Sequence, residues 1–161
     1  MLEGEKQVLH DFQKNAAADA FHAQRMLDSA IVNKNRLVYR TIRRKAAQDQ
    51  VRLATSQLLE AQDTSWLLSE IENLNFHPNH LEPGNFSIDG TINGTQVSIL
   101  RWGMNLPGLE DRNRYSANLN GVELTENAAQ TLANRYYPML SIIRYNTRTI
   151  AHAKRILGIR E

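Results

Sequence analysis

The sequence predicts an α+β fold, predominantly α: a long N-terminal helical region, a small antiparallel three-stranded β-sheet and a kinked C-terminal helix. Three observations predict it. From Glu5 to His77 the chain runs seventy-three residues without glycine or proline, where average usage would place about nine. From Phe86 to Trp102 apolar and polar residues alternate on either side of Asn93-Gly94, the pattern of a hairpin with a tight turn. From Thr125 to Leu157 the apolar residues return to helical spacing.

The N-terminal region is read as residues 1–76, a helical part that serves packing and oligomerisation. As one unbroken helix, residues 5–77 would span about 110 Å at 1.5 Å per residue. A bar of that length cannot bury its apolar stripe on the rest of a chain of this size, so it either folds back as a hairpin or stays extended and packs on other chains. Leu9, Phe12, Ala16, Ala20, Ala23, Leu27, Ile31, Val38 and Ile42 share one stripe, while Arg25, Arg36, Arg40 and Arg43 fall opposite it. After Ala46 a second seam follows at four-three spacing, through Ala47, Val51, Ala54, Leu58 and Ala61. On a straight helix this seam emerges about half a turn away, on the arginine side. The apolar face therefore divides near residues 43–50. Turn chemistry is absent there; Asn33-Lys34-Asn35 is the other candidate turn, and Asp63-Thr64-Ser65 a candidate helix start. The small seam residues permit close helix approach and are the candidate oligomer interface, with an intramolecular helical hairpin as the alternative.

Residues 77–161 form the expected α+β head. His77-Pro78-Asn79-His80 and Glu82-Pro83-Gly84 end the helical region. A hairpin over residues 86–102 follows, with Val97, Ile99 and Arg101 on one face, then a loop with a turn at Pro107-Gly108 and a third strand at 114–119. Thr125 is placed as the N-cap of a C-terminal helix over residues 125–157, with Glu126 in its first turn and Pro138 kinking or splitting it near Tyr137. The order helix, three strands, helix resembles in outline the double-stranded-RNA-binding domain. That family implies a lysine-rich start to the last helix, gripping phosphates; here it reads Leu124-Thr125-Glu126-Asn127, and the resemblance stops at topology.

The net charge of +2 hides a strong segregation. Seven cations lie between Lys34 and Arg52 against the single anion Asp49; from Leu53 to Leu100 there are six acids and no lysine or arginine. Arg144, Arg148 and Arg155 then form a second basic stripe at steps of four and seven. Such alternation suits subunits that pair basic against acidic surfaces, and fourteen arginines to five lysines favour bidentate contacts to carboxylate or phosphate. Arg36, Arg40, Arg43, Arg44, Arg144, Arg148 and Arg155 are the candidate contacts to phosphate or an acidic partner.

Chemistry-bearing motifs are sparse. The chain has no cysteine, which excludes disulfides, thiolate zinc sites and thiol catalysis. His77 and His80, with Glu82 nearby, have metal-ligand spacing but too few companions for a structural zinc site. There is no Gly-rich phosphate loop and no nucleophile motif. The expectation is therefore no catalytic residue, no metal, no cofactor, no small-molecule substrate and no enzymatic activity. Met1 to Lys6 carries no apolar signal-type run and no segment has the apolar length of a membrane span, so the expected setting is the cytoplasm or a virion or other large assembly, away from membranes. The sequence thus favours a structural protein that packs through long helices into a homo-oligomer or larger complex; the alternative is nucleic-acid binding through segments 34–52 and 144–155.

Overall fold

The computed structural model describes residues 1–37, 41–82, 84–103 and 114–159. Its elements are α1 (Glu3–Arg36), α2 (Thr41–Glu70), a 3-10 turn (Ile71–Asn73), β1 (Leu74–Pro78), β2 (Phe86–Ile92), β3 (Thr95–Trp102), β4 (Arg114–Leu119), β5 (Val122–Glu123) and α3 (Glu126–Leu157). They divide into two compact units, His10–Ser69 and Met1–Leu9 with Glu70–Glu161.

The His10–Ser69 unit is an antiparallel helical hairpin. Gln13 Nε2 donates to the Leu68 carbonyl at 3.5 Å. A cleft is lined by Ala16 and Asp19 together with Gln57, Ala61 and Thr64, and another by Met26 and Ala30 together with Gln50 and Ala54. Numbers rise along α1 as they fall along α2. The chain thus reverses between Arg36 and Thr41, directly after Asn33-Lys34-Asn35. Residues 43–50, read from the sequence as the dividing point, lie inside α2 without interruption, as does Asp63-Thr64-Ser65; arginine, lysine, alanine and glutamine are strong helix formers. The change of apolar face has a simple cause. Once the chain reverses, each helix presents its own stripe to the other: Ala16 and Ala23 are buried on α1, Ala47 and Ala54 on α2.

The other unit holds one antiparallel meander in the order β1-β2-β3-β4-β5. The sheet has five strands rather than the three expected. The strands expected at 86–92, 95–102 and 114–119 are present, and β1 and β5 flank them. β1 lies in the segment read as helical through His77, because lack of glycine and proline disfavours turns but does not distinguish helix from strand. Its pairing with β2, from Leu74 opposite Gly90 to Pro78 opposite Phe86, satisfies backbone groups that the isolated β2–β3 hairpin leaves open. β5 follows Asn120-Gly121, which repeats the turn of Asn93-Gly94: both pairs have positive φ at both residues, 50° and 82° against 50° and 79°, as a type I′ hairpin requires.

Register fixes the two faces. Phe76, Ile88, Ile99 and Ala117 stand in one row, and Leu74, Gly90, Val97 and Leu119 in the next. This inner face is covered by α3, whose Ala129, Ala133, Tyr136, Leu140 and Ile143 are buried at four-three spacing. The opposite face carries Asn75, Asp89, Ser98 and Asn118 in one row and is polar.

Thr125 caps α3, its hydroxyl accepting from the Ala128 amide at 3.3 Å. Gly158, at φ 68°, closes it with Gly158 N–H donating to Arg155 and Ile159 N–H to Lys154, a Schellman arrangement. The helix runs on through Pro138 and is not split there: proline removes one backbone bond, and the packed faces before and after it hold the element together.

Gly90 holds the tightest point of the sheet. Its φ is 141°, and an added Cβ would lie far inside contact distance of the Asn73 carbonyl. We expect Gly90→Ala to lower stability by about 2 kcal/mol or more in urea denaturation. Gly121→Ala, also at positive φ but with open space around it, should cost about 1 kcal/mol from backbone strain alone.

Candidate functional site

The feature with the most chemistry is a groove of about 260 Å³ between α3 and the segment joining β1 to β2. Its floor is aromatic. Phe86 stacks on Tyr137 at 4.5 Å between ring centroids, and Phe76 meets both rings at 5.8 Å. Side chains already in contact with one another make this floor rigid. Along the α3 wall come Ser141, Arg144, Tyr145 and Arg148; Asn79, His80 and Asn85 line the opposite wall.

Backbone geometry sets both walls. Positions 137, 141, 144, 145 and 148 share one side of a helix, so the stripe read from the sequence brings Arg144 and Arg148 to the groove one turn apart. Across from it, Asn79 Oδ1 accepts from the Leu81 and Glu82 amides at 2.9 and 3.3 Å. Asn85 Nδ2 donates to the Gly103 carbonyl at 2.9 Å and to Glu82 at 3.2 Å, fixing the loop. Arg144 is mostly buried and lies 3.8 Å from Glu5; its Nε is buried and has no hydrogen-bond partner. Tyr145 is 71% exposed on the rim. The arrangement suits a small anionic group beside a flat apolar one.

The remaining sequence candidates fall elsewhere. Ala47 and Ala54 are buried, and Val51, Leu58 and Ala61 half-buried, within the hairpin; Ala54 and Ala61 line the clefts toward α1 of the same chain. Arg36 and Arg43 are exposed and Arg44 half-buried, at the end of the hairpin where α1 stops and α2 starts. α2 begins with cations and no acid in its first turn, against the preference of a helix N-terminus. Arg155 is exposed near the end of α3. Arg40 and the Pro107-Gly108 turn lie outside the described residues. His77 pairs with Asp89 at 3.3 Å on the polar face of the sheet, while His80 lines the groove, so the spacing that suggested a shared ligand set does not bring them together.

Comparison with known proteins gives no match. No family model fits the chain, and neither the curated proteins nor the solved structures contain a significant relative.

Sequence reasoning missed the aromatic side of the groove. On the strands, Arg101 meets Tyr115 instead, its Nε donating to the hydroxyl at 3.1 Å. The signal for the groove lay in α3: Tyr137, Arg144, Tyr145 and Arg148 follow steps of seven, one and three, which superpose on one helical side.

A second polar cluster links Glu70 to α3 within the sheet-bearing unit. Arg135 donates to Glu70 from Nε at 3.1 Å and from Nη2 at 3.0 Å, and the Tyr136 hydroxyl donates to the same carboxylate oxygen at 3.2 Å. Burial raises the pKa of Tyr136 above its ordinary 10.0, the Glu70 charge and hydrogen bond adding to it while Arg135 opposes. Desolvation pulls Arg135 down, but the bond to Glu70 and its charge, with Tyr136 assisting, more than offset this and the net direction is upward. The neutral Tyr136 hydroxyl contributes fully below pH 10, and its contribution is lost as pH rises through the raised value. Tyr136→Phe should therefore cost about 1 kcal/mol at neutral pH. In thermal melts between about pH 9 and 11 the parent should lose more stability than this variant.

Proposed function

We propose that this chain is a non-enzymatic assembly component whose helices pack against further copies of itself, in a homo-oligomer or larger multi-subunit complex. One observation carries the reading. The apolar stripe of α3 continues beyond the part covered by the sheet: Ile143 is buried, whereas Ile150 and Leu157, on the same four-three spacing, are 46% and 71% exposed. Ile156, at 72%, stands beside them. An uncovered stripe of large aliphatic side chains is characteristic of an association surface.

α2 offers a matching surface. Leu59 and Trp66 are 61% and 64% exposed and stand seven residues apart, the same spacing as Ile150 and Leu157. Acids flank the first pair, at Glu60 and Asp63, and arginines flank the second, at Arg148 and Arg155. Helices with knobs at equal two-turn spacing and opposite flanking charge complement one another. We therefore pair α3 of one copy with α2 of another. Such a contact joins two different surfaces, so it propagates into a ring or filament rather than stopping at a two-fold dimer.

Sedimentation velocity tests this. Between roughly 1 and 200 µM, the range in which contacts worth about 5–8 kcal/mol are populated, the parent chain should shift to heavier species. Replacing Ile150 and Leu157 together by glutamate should weaken association about a hundredfold or more, since each side chain loses about 1.5–3 kcal/mol of burial, with the helical circular dichroism unchanged. A parent that remains monomeric throughout overturns the proposal.

A further inference from the structure

We infer that the groove beside α3 binds a nucleoside phosphate, either free or as one unit of a single nucleic-acid strand. Three features converge on this chemistry. Arg144 and Arg148 stand one turn apart on the same wall, so that two guanidinium groups can converge on one phosphate. Tyr145 is 71% exposed and lies next to Arg144 and one turn before Arg148, so its ring is open to a base whose phosphate the arginines hold. Base stacking on an exposed aromatic beside a cationic groove is the general mode of single-strand recognition. Polar groups for a base edge or ribose are supplied on the opposite wall by His80 and by the amide nitrogen of Asn79, whose oxygen is held by the Leu81 and Glu82 amides.

The groove's volume of about 260 Å³ accommodates one nucleotide unit rather than a duplex or a folded peptide, near the lower end of ligand-pocket sizes. Arg144 is only loosely engaged within the protein, its contact with Glu5 being long, at 3.8 Å. Glu5 is the acid that Arg144 meets, and no carboxylate stands among the described residues lining the groove. Two guanidinium charges on one wall still leave the site open to a phosphate. This inference shares Arg148 with the proposed contact between copies but not Tyr145, so Tyr145→Ala reads the groove and the Ile150 and Leu157 substitutions read association.

The test uses the full-length chain and three probes: a labelled oligothymidylate of about ten nucleotides, free thymidine monophosphate, and poly-glutamate of matched charge. Fluorescence anisotropy at about 50 mM salt should show oligothymidylate binding that falls steeply as salt rises. Tyr145→Ala and Arg148→Ala should each weaken it about tenfold, in line with the loss of one stacked base or one phosphate contact. The double variant Arg43→Ala with Arg44→Ala, at the hairpin end, should leave it within about twofold. Competition by thymidine monophosphate at comparable concentration identifies the free nucleotide as the ligand, and competition only at much higher concentration identifies the strand; both support the site. The inference is overturned if oligothymidylate does not bind, if the Tyr145 and Arg148 variants bind as the parent does, or if poly-glutamate binds equally well and Tyr145→Ala changes nothing.

Discussion

The contact between α3 and the inner face of the sheet organises everything around it. Ala129, Ala133, Tyr136, Leu140 and Ile143 present a continuous stripe to a face built from Ile88, Ile99, Val97 and Ala117, all buried. Small residues at the start of the stripe let the helix approach the strands closely, and larger ones fill the space further along. The same rotation of α3 that buries this stripe turns Tyr137, Arg144 and Arg148 toward the ends of β1 and β2, creating the groove. It also directs Arg135 and Tyr136 to Glu70. Core and candidate site thus depend on one helical phase, and a rotation of α3 would lose both.

Along its last third α3 keeps the stripe but loses the cover. Thr147 and Ile150 continue the spacing of Leu140 and Ile143, and Leu157 completes it before the Schellman closure at Gly158. A helix that ended at the sheet would need none of these residues. Its ordered, well-capped extension with aliphatic side chains exposed is the physical basis for reading the chain as a component of an assembly. The hairpin differs: its facing residues are mostly alanine, so the two helices approach closely but each alanine removes little apolar area from water. Its outer surface retains Leu53, Leu59 and Trp66.

Much of this architecture was legible in residue order. Asn93-Gly94 flanked by alternating residues specified the β2–β3 hairpin to the residue, and Thr125 marked the start of α3. What escaped reading had physical causes. β1 is short, lacks β-branched residues and follows a helix with no glycine or proline between them, so only its pairing with β2 distinguishes it. β5 has two residues, below the length at which alternation carries information, although Asn120-Gly121 announced its turn. The half-turn change of stripe between α1 and α2 was visible but ambiguous, since a bend at 43–50 and a reversal after Asn35 give the same pattern on a straight wheel. Of the candidate site, the arginine stripe was legible because it follows one helical period. The aromatic floor was not, because Phe76, Phe86 and Tyr137 come together only through the fold.

The central claim is that one stripe on α3 has a covered half and a half that another copy covers. Hydrogen exchange at its backbone amides, followed by mass spectrometry from low to high protein concentration, tests this directly. Residues 129–143 should be protected at every concentration, and residues 149–157 should gain protection as concentration rises. Equal and unchanging exchange of residues 149–157 at all concentrations would contradict it.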